Sequence, residues 1–150
     1  MNVTVDLQNG SGVHPVPLKR QFKHWAMAAM NGIPSERTRC QVSIRLIDES
    51  ESADLNARYR QKQGPTNILS FPVPAGLPSP LLGDLAICAA VVEREAAEQN
   101  KHSDAHWAHM TVHGVLHLNG YDHEEQQDAA EMEALEVKIL EQLGYKDPYQ

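Results

Sequence analysis

The chain has 150 residues, of which 41% are hydrophobic and 22% charged, and its formal net charge is −7 at pH 7. That is globular composition, long enough to bury a core without disulfides. No stretch approaches the roughly 18 apolar residues of a helical membrane span, and the acidic balance argues against a protein that coats nucleic acid nonspecifically.

Val3, Val5 and Leu7 alternate with polar neighbours, which predicts a strand. Phe22, Trp25, Ala26 and Ala29 fall at helical spacing between Leu18 and Met30, and Gly32 and Pro34 stop that helix. Val42, Ile44 and Leu46 predict a second strand. A helix is expected from about Ser52 to Gln61, with Leu55 and Tyr59 on one face. Asn67 to Phe71 reads as a short strand. The segment Pro72 to Pro80, with prolines at 72, 74, 78 and 80, reads as a mobile loop. Gly83 to Cys88 predicts a fourth strand running into a helix through about Gln99. Ser103 is the expected cap of a helix from about Asp104 to Leu118, ended by Gly120. Asp122 and Glu125 fit a capping box for a last helix, whose apolar stripe is Met132, Leu135, Ile139 and Leu143, with Gly144 as its C-cap. Strands and helices do not alternate regularly enough for a doubly wound sheet. The expected fold is α+β: one domain over residues 1–150, with a small four-stranded mixed sheet packed against about five helices.

Cys40 and Cys88 form no C-x-x-C pair, so both are expected reduced and buried, not zinc thiolates. The start Met-Asn-Val-Thr-Val-Asp-Leu lacks the basic and apolar regions of a signal peptide, so a cytoplasmic location is expected.

The informative segment is His113-Gly-Val-Leu-His117-Leu-Asn-Gly120-Tyr-Asp-His123. Residues four apart on a helix share a face, so two imidazoles can ligate one Zn²⁺. A turn at Gly120, the residue type that accepts positive φ, brings His123 back as a third ligand. Three protein ligands leave a fourth position for water, the layout of a catalytic zinc site. The expected cofactor is one Zn²⁺ per chain on this helix-turn segment. The spacing H-x3-H-x2-G-x2-H is that of metzincin proteases, but their general-base Glu is replaced by Gly114. His109, one turn back, is expected to be structural or to support a ligand. His14, His24, His102 and His106 read as surface or core residues.

Arg58-Tyr-Arg60-Gln-Lys62 is the densest basic cluster. Each cation could belong to a solvated helix face; the functional reading is a guanidinium turned to the metal cleft, where its planar fork suits phosphate oxygens. Thr66 and Ser70 are candidate hydrogen-bond donors to substrate, and equally turn or strand hydroxyls. Asp84 is a turn residue or a support of the metal, with neither favoured. Lys19, Arg20 and Lys23, and the acidic residues Glu124, Glu125, Asp128, Glu131 and Glu133, read as solvent-facing charge.

The chain resembles the YbeY family of metal-dependent, single-strand-specific endoribonucleases. The resemblance lies in Leu55-Asn56-x-x-Tyr59-Arg60-x-Lys62, in Pro65-Thr66-Asn67-Ile68-Leu69-Ser70-Phe71-Pro72, in Leu82-Gly83-Asp84-Leu85-x-Ile87 and in the histidine segment. It implies zinc at His113, His117 and His123, a role for Arg60 in activity, and work in small-subunit rRNA 3′-end maturation and ribosome quality control. Implied partners are single-stranded RNA, the ribosome, a small-subunit ribosomal protein and an Era-type GTPase. Arg60 is the expected catalytic cation, with Lys62, Thr66 and Ser70 contacting substrate. Two rival readings are a zinc peptidase, which needs a replacement carboxylate such as Asp122, and a non-catalytic ribosome-assembly factor with a structural metal.

Overall fold

In a computed structural model, which describes residues 1–74, 79–122 and 125–150, the elements follow the order β1 (Asn2–Asn9), α1 (Lys19–Asn31), β2 (Arg39–Ile47), α2 (Glu49–Arg60), β3 (Ile68–Pro72), β4 (Leu81–Cys88), α3 (Ala89–Glu98), α4 (Ser103–Leu118) and α5 (Gln126–Gln142). Residues 75–78 of the proline-rich loop, and His123 and Glu124, lie outside the described residues.

The sheet runs β1-β2-β4-β3. β1 and β4 each pair in parallel with β2, while β3 pairs antiparallel with β4, so the expected mixed sheet is present. Period-2 alternation divides its side chains between two faces. Val42, Ile44, Leu46, Leu85, Ile87 and Ile68 face a core that also holds Phe22, Trp25 and Trp107. Phe22 meets both tryptophans edge-on, with ring centroids 5.6 and 5.7 Å away. Ile47, Leu69, Ala86 and Cys88 form a second, smaller cluster with Leu55 of α2 and Phe71. The same alternation puts Ser70 on the face of Ile68 and Phe71 on the face of Leu69. Cys40 and Cys88 are free and buried.

Helix α4 lies at the centre, in contact with α1, α3, α5, β3 and β4. Gly114 is what lets it approach the sheet. A Cβ there would stand 2.6 Å from the Ile68 side chain and 2.8 Å from that of Leu85. The position that carries a carboxylate in the protease pattern is therefore packed against the sheet, with no room even for a methyl group.

Three helix starts differ from expectation. α2 begins at Glu49, one turn before Ser52, because Asp48 caps it by accepting from the Glu51 amide at 2.8 Å. The N-cap of α4 is His102; Ser103 Oγ donates instead to Glu93 Oε1 at 2.7 Å. No Asp122–Glu125 capping box forms: α5 starts after Glu125, whose side chain makes no cap bond. At α4 a tertiary partner, Glu93, took the side chain that local pattern assigned to a cap. Gly120 and Gly144 both have positive φ, +93° and +91°, just beyond the ends of α4 and α5.

Candidate metal centre and cleft

His113 and His117, one turn apart on α4, bring their Nε2 atoms to within 3.1 Å. Two nitrogens bound to one zinc at roughly 2.0–2.1 Å and tetrahedral angles stand about 3.3–3.4 Å apart. The observed pair is therefore spaced for a shared ion.

The other nitrogen of His113 is fixed from behind. Its Nδ1–H donates to Glu136 Oε1 at 2.5 Å, and His109 Nε2–H donates to Glu136 Oε2 at 3.0 Å. The Tyr149 hydroxyl donates to the same Oε2. Glu136, on α5, is fully buried. Burial alone raises a carboxyl pKa, but the hydrogen bonds and charge of the two histidines outweigh it and hold Glu136 at about 2. It is thus an anion at any physiological pH, accepting from His113 Nδ1 while His113 Nε2 faces His117. Burial, and then the Glu136 hydrogen bond, push the Tyr149 phenol well above its usual range, so it remains a donor. His109, His113 and Glu136 also bring one ligand atom each within 4.8 Å of one another, so this buried group could itself hold a metal ion.

Sequence reasoning missed Glu136 and Tyr149. The signal for Glu136 was present: it follows Met132 by four and precedes Leu140 by four, a charge inside the buried stripe of an amphipathic helix. Tyr149, beyond the last helix, left no such signal.

The histidines open onto a cleft of about 970 Å³. One wall is the end of α2 and the following loop, with Tyr59, Arg60 and Lys62. Another is β3 with its approach, including Asn67, Ser70 and Phe71. The turn Gly120–Asp122 completes it. Arg45, Arg58 and Arg94 are paired with Glu51, Asp54 and Glu49. Among the described residues Arg60 and Lys62 have no carboxylate partner, and both are exposed. Two uncompensated cations in a protein of net charge −7 mark the cleft as a place for an anion.

The loop bearing Lys62 is held by buried groups of α2. Ser52 Oγ donates to the Thr66 carbonyl and accepts from the Thr66 amide, both at 2.9 Å. Asn56 Nδ2 donates to the Gly64 carbonyl at 2.9 Å. Arg60, Lys62 and Ser70 therefore line the cleft with His113 and His117; Thr66 does not, and its neighbour Asn67 does. Asp84 is exposed on β4, in register with Phe71, and is not among the lining residues. His123 falls outside the described residues.

Fold and site together define a small α+β protein whose central helix α4, with Glu136 of α5, forms a histidine–carboxylate cluster that could hold a metal, beside a cleft that carries Arg60 and Lys62. Comparison with known proteins makes this specific. The family model described as Endoribonuclease YbeY matches residues 6–144. A protein of Nitrosococcus oceani named Endoribonuclease YbeY is 53% identical over 154 aligned positions, covering 100% of this chain and 99% of its own. One of the same name from Methylococcus capsulatus is 54% identical, covering 98% and 95%. The solution structure of TM1509 from Thermotoga maritima has the same fold, with a TM-score of 0.60 at 24% identity over 99% of both chains. The chain belongs to the YbeY endoribonuclease family.

Proposed function

We propose that this protein is a zinc-dependent, single-strand-specific endoribonuclease, a cytoplasmic single domain acting in small-subunit rRNA 3′-end maturation and ribosome quality control. His113, His117 and His123 hold one Zn²⁺ per chain. The observation that carries this reading is the 3.1 Å approach of two imidazole nitrogens in the same cleft as two unpaired cations. Both carboxylate oxygens of Glu136 already accept imidazole protons. That favours Glu136 as the orienting partner of His113 and the ion at the Nε2 side, where the cleft opens.

When bound, such an ion acts as a Lewis acid and lowers the pKa of water toward about 7. The chain's own residues do the rest. Arg60 offers a planar fork of donors to the non-bridging oxygens of the scissile phosphate and offsets the charge that grows on them. Lys62 draws the adjoining phosphate to the cleft mouth as a point charge, and Ser70, on the α4-facing side of β3, donates to the strand. Gly114 denies a peptidase the base of the metzincin pattern, so that reading would have to draw on Asp122 of the cleft lining instead. The ribosome, a small-subunit ribosomal protein and an Era-type GTPase are the proposed partners.

The test is cleavage of end-labelled single-stranded and duplex RNA, with chelator and with zinc restored. The single strand should be cut, chelator should stop cutting, zinc should restore it, and Arg60→Ala should lower kcat/KM roughly 10²–10³-fold. Cleavage indifferent to chelator would contradict the metal dependence, cleavage indifferent to Arg60→Ala would remove Arg60 from the chemistry, and no cleavage of either RNA would leave the non-catalytic assembly role as the better reading.

A further inference from the structure

Tyr59 is an anomaly in this cleft. It is one of four large apolar or aromatic side chains exposed among the described residues, at 56%, and the only one of them that lines the cleft. It is the penultimate residue of α2, directly before Arg60. Its ring meets Phe71 of β3 edge-on, with centroids 5.1 Å apart and planes at 73°. An edge contact covers at most one face of the tyrosine ring, and the exposure leaves the other open. Phe71 packs into the smaller cluster under the sheet, so the pair is anchored from below.

Two cations without a carboxylate partner among the described residues line the cleft with this ring, which decides what fits it. An aromatic or aliphatic peptide side chain would gain the ring but waste Arg60 and Lys62. A nucleotide uses both, because its base offers a flat π-face and its phosphate an anion. We propose that Tyr59, braced by Phe71, is a stacking platform for one unpaired nucleobase of the RNA strand next to the metal centre. This rests on the endoribonuclease reading and deepens it, because it supplies a physical source of single-strand selectivity. In a duplex both faces of every internal base are covered by neighbours, and the platform has nothing to receive. Base-type preference should be weak, since every base has a π-face.

The test uses the full-length zinc-loaded protein and a 2′-O-methyl RNA single strand, checked by gel to stay intact, bearing 2-aminopurine, whose fluorescence is quenched on stacking, at successive positions. Wild type should quench at one position; Tyr59→Leu should abolish that quench and weaken binding roughly ten-fold; Tyr59→Trp should keep both. Replacing the same base by an abasic ribose should weaken wild-type binding and leave Tyr59→Leu unchanged. A quench that survives Tyr59→Leu, or an abasic penalty equal in both proteins, would overturn the platform while the nuclease reading stands. Wild type that fails to bind the strand at all would overturn both.

Discussion

Glu136 determines what His113 can do. A neutral imidazole has one donor and one acceptor nitrogen, and the buried carboxylate fixes which is which. Replacing Glu136 with Gln removes the charge but keeps the shape. The expected result is zinc binding weakened about 10–100-fold, measured by competition with a chromophoric chelator. If Glu136 were itself a ligand together with His109, the loss would instead be near total. The histidine pair was legible in the sequence because a four-residue spacing maps directly onto one helix face. Glu136 was not, because its 23-residue separation from His113 is bridged only by the packing of α5 on α4. Arg60, Lys62 and Ser70 were singled out in the sequence, and the fold places them in the cleft lining, whereas the Arg58 guanidinium is held by Asp54.

Elements are tied to the cleft by buried polar links that no local pattern reveals. His106 of α4 is nearly fully buried, and its Nε2–H donates to Glu95 Oε1 of α3 at 2.9 Å. Glu95 in turn accepts from Asn67 Nδ2, at the head of β3, at 3.1 Å. Burial lowers the His106 pKa from 6.5, the pull of Glu95 opposes this, and Lys101 and His109 add to the lowering. The unfolded chain therefore takes up a proton near pH 6.5 that the folded chain resists. The contribution to stability is complete above about pH 6.5 and is lost progressively as pH falls toward the lowered folded value. Urea unfolding in the presence of chelator, from pH 8 to pH 5, should show a steeper loss for wild type than for His106→Gln. Parallel pH curves for the two proteins would contradict the assignment. Strand and helix positions were legible from periodicity, because one buried face per element imposes it. Helix starts were less so: Ser103 serves Glu93 rather than a cap, and α5 starts after Glu125, beyond the expected cap at Asp122.

The whole molecule places a central helix against a mixed sheet at a distance only glycine permits, and so sets His113 and His117 facing the strand that carries Ser70. No helix among the described residues is long and apolar enough to cross a membrane. The mixed α+β architecture was legible from the irregular order of strands and helices. The cleft was not, because its walls come from α2, β3 and the turn after α4, far apart in sequence. All of its proposed chemistry depends on where the ion sits: between the Nε2 atoms of His113 and His117, or within the His109–His113–Glu136 group. Zinc titration of the metal-free His117→Ala variant by calorimetry separates the two most directly. An ion held between the Nε2 atoms of His113 and His117 requires that this variant lose the single tight site expected of the wild type while still folding. One equivalent of zinc bound by His117→Ala with wild-type affinity would contradict it.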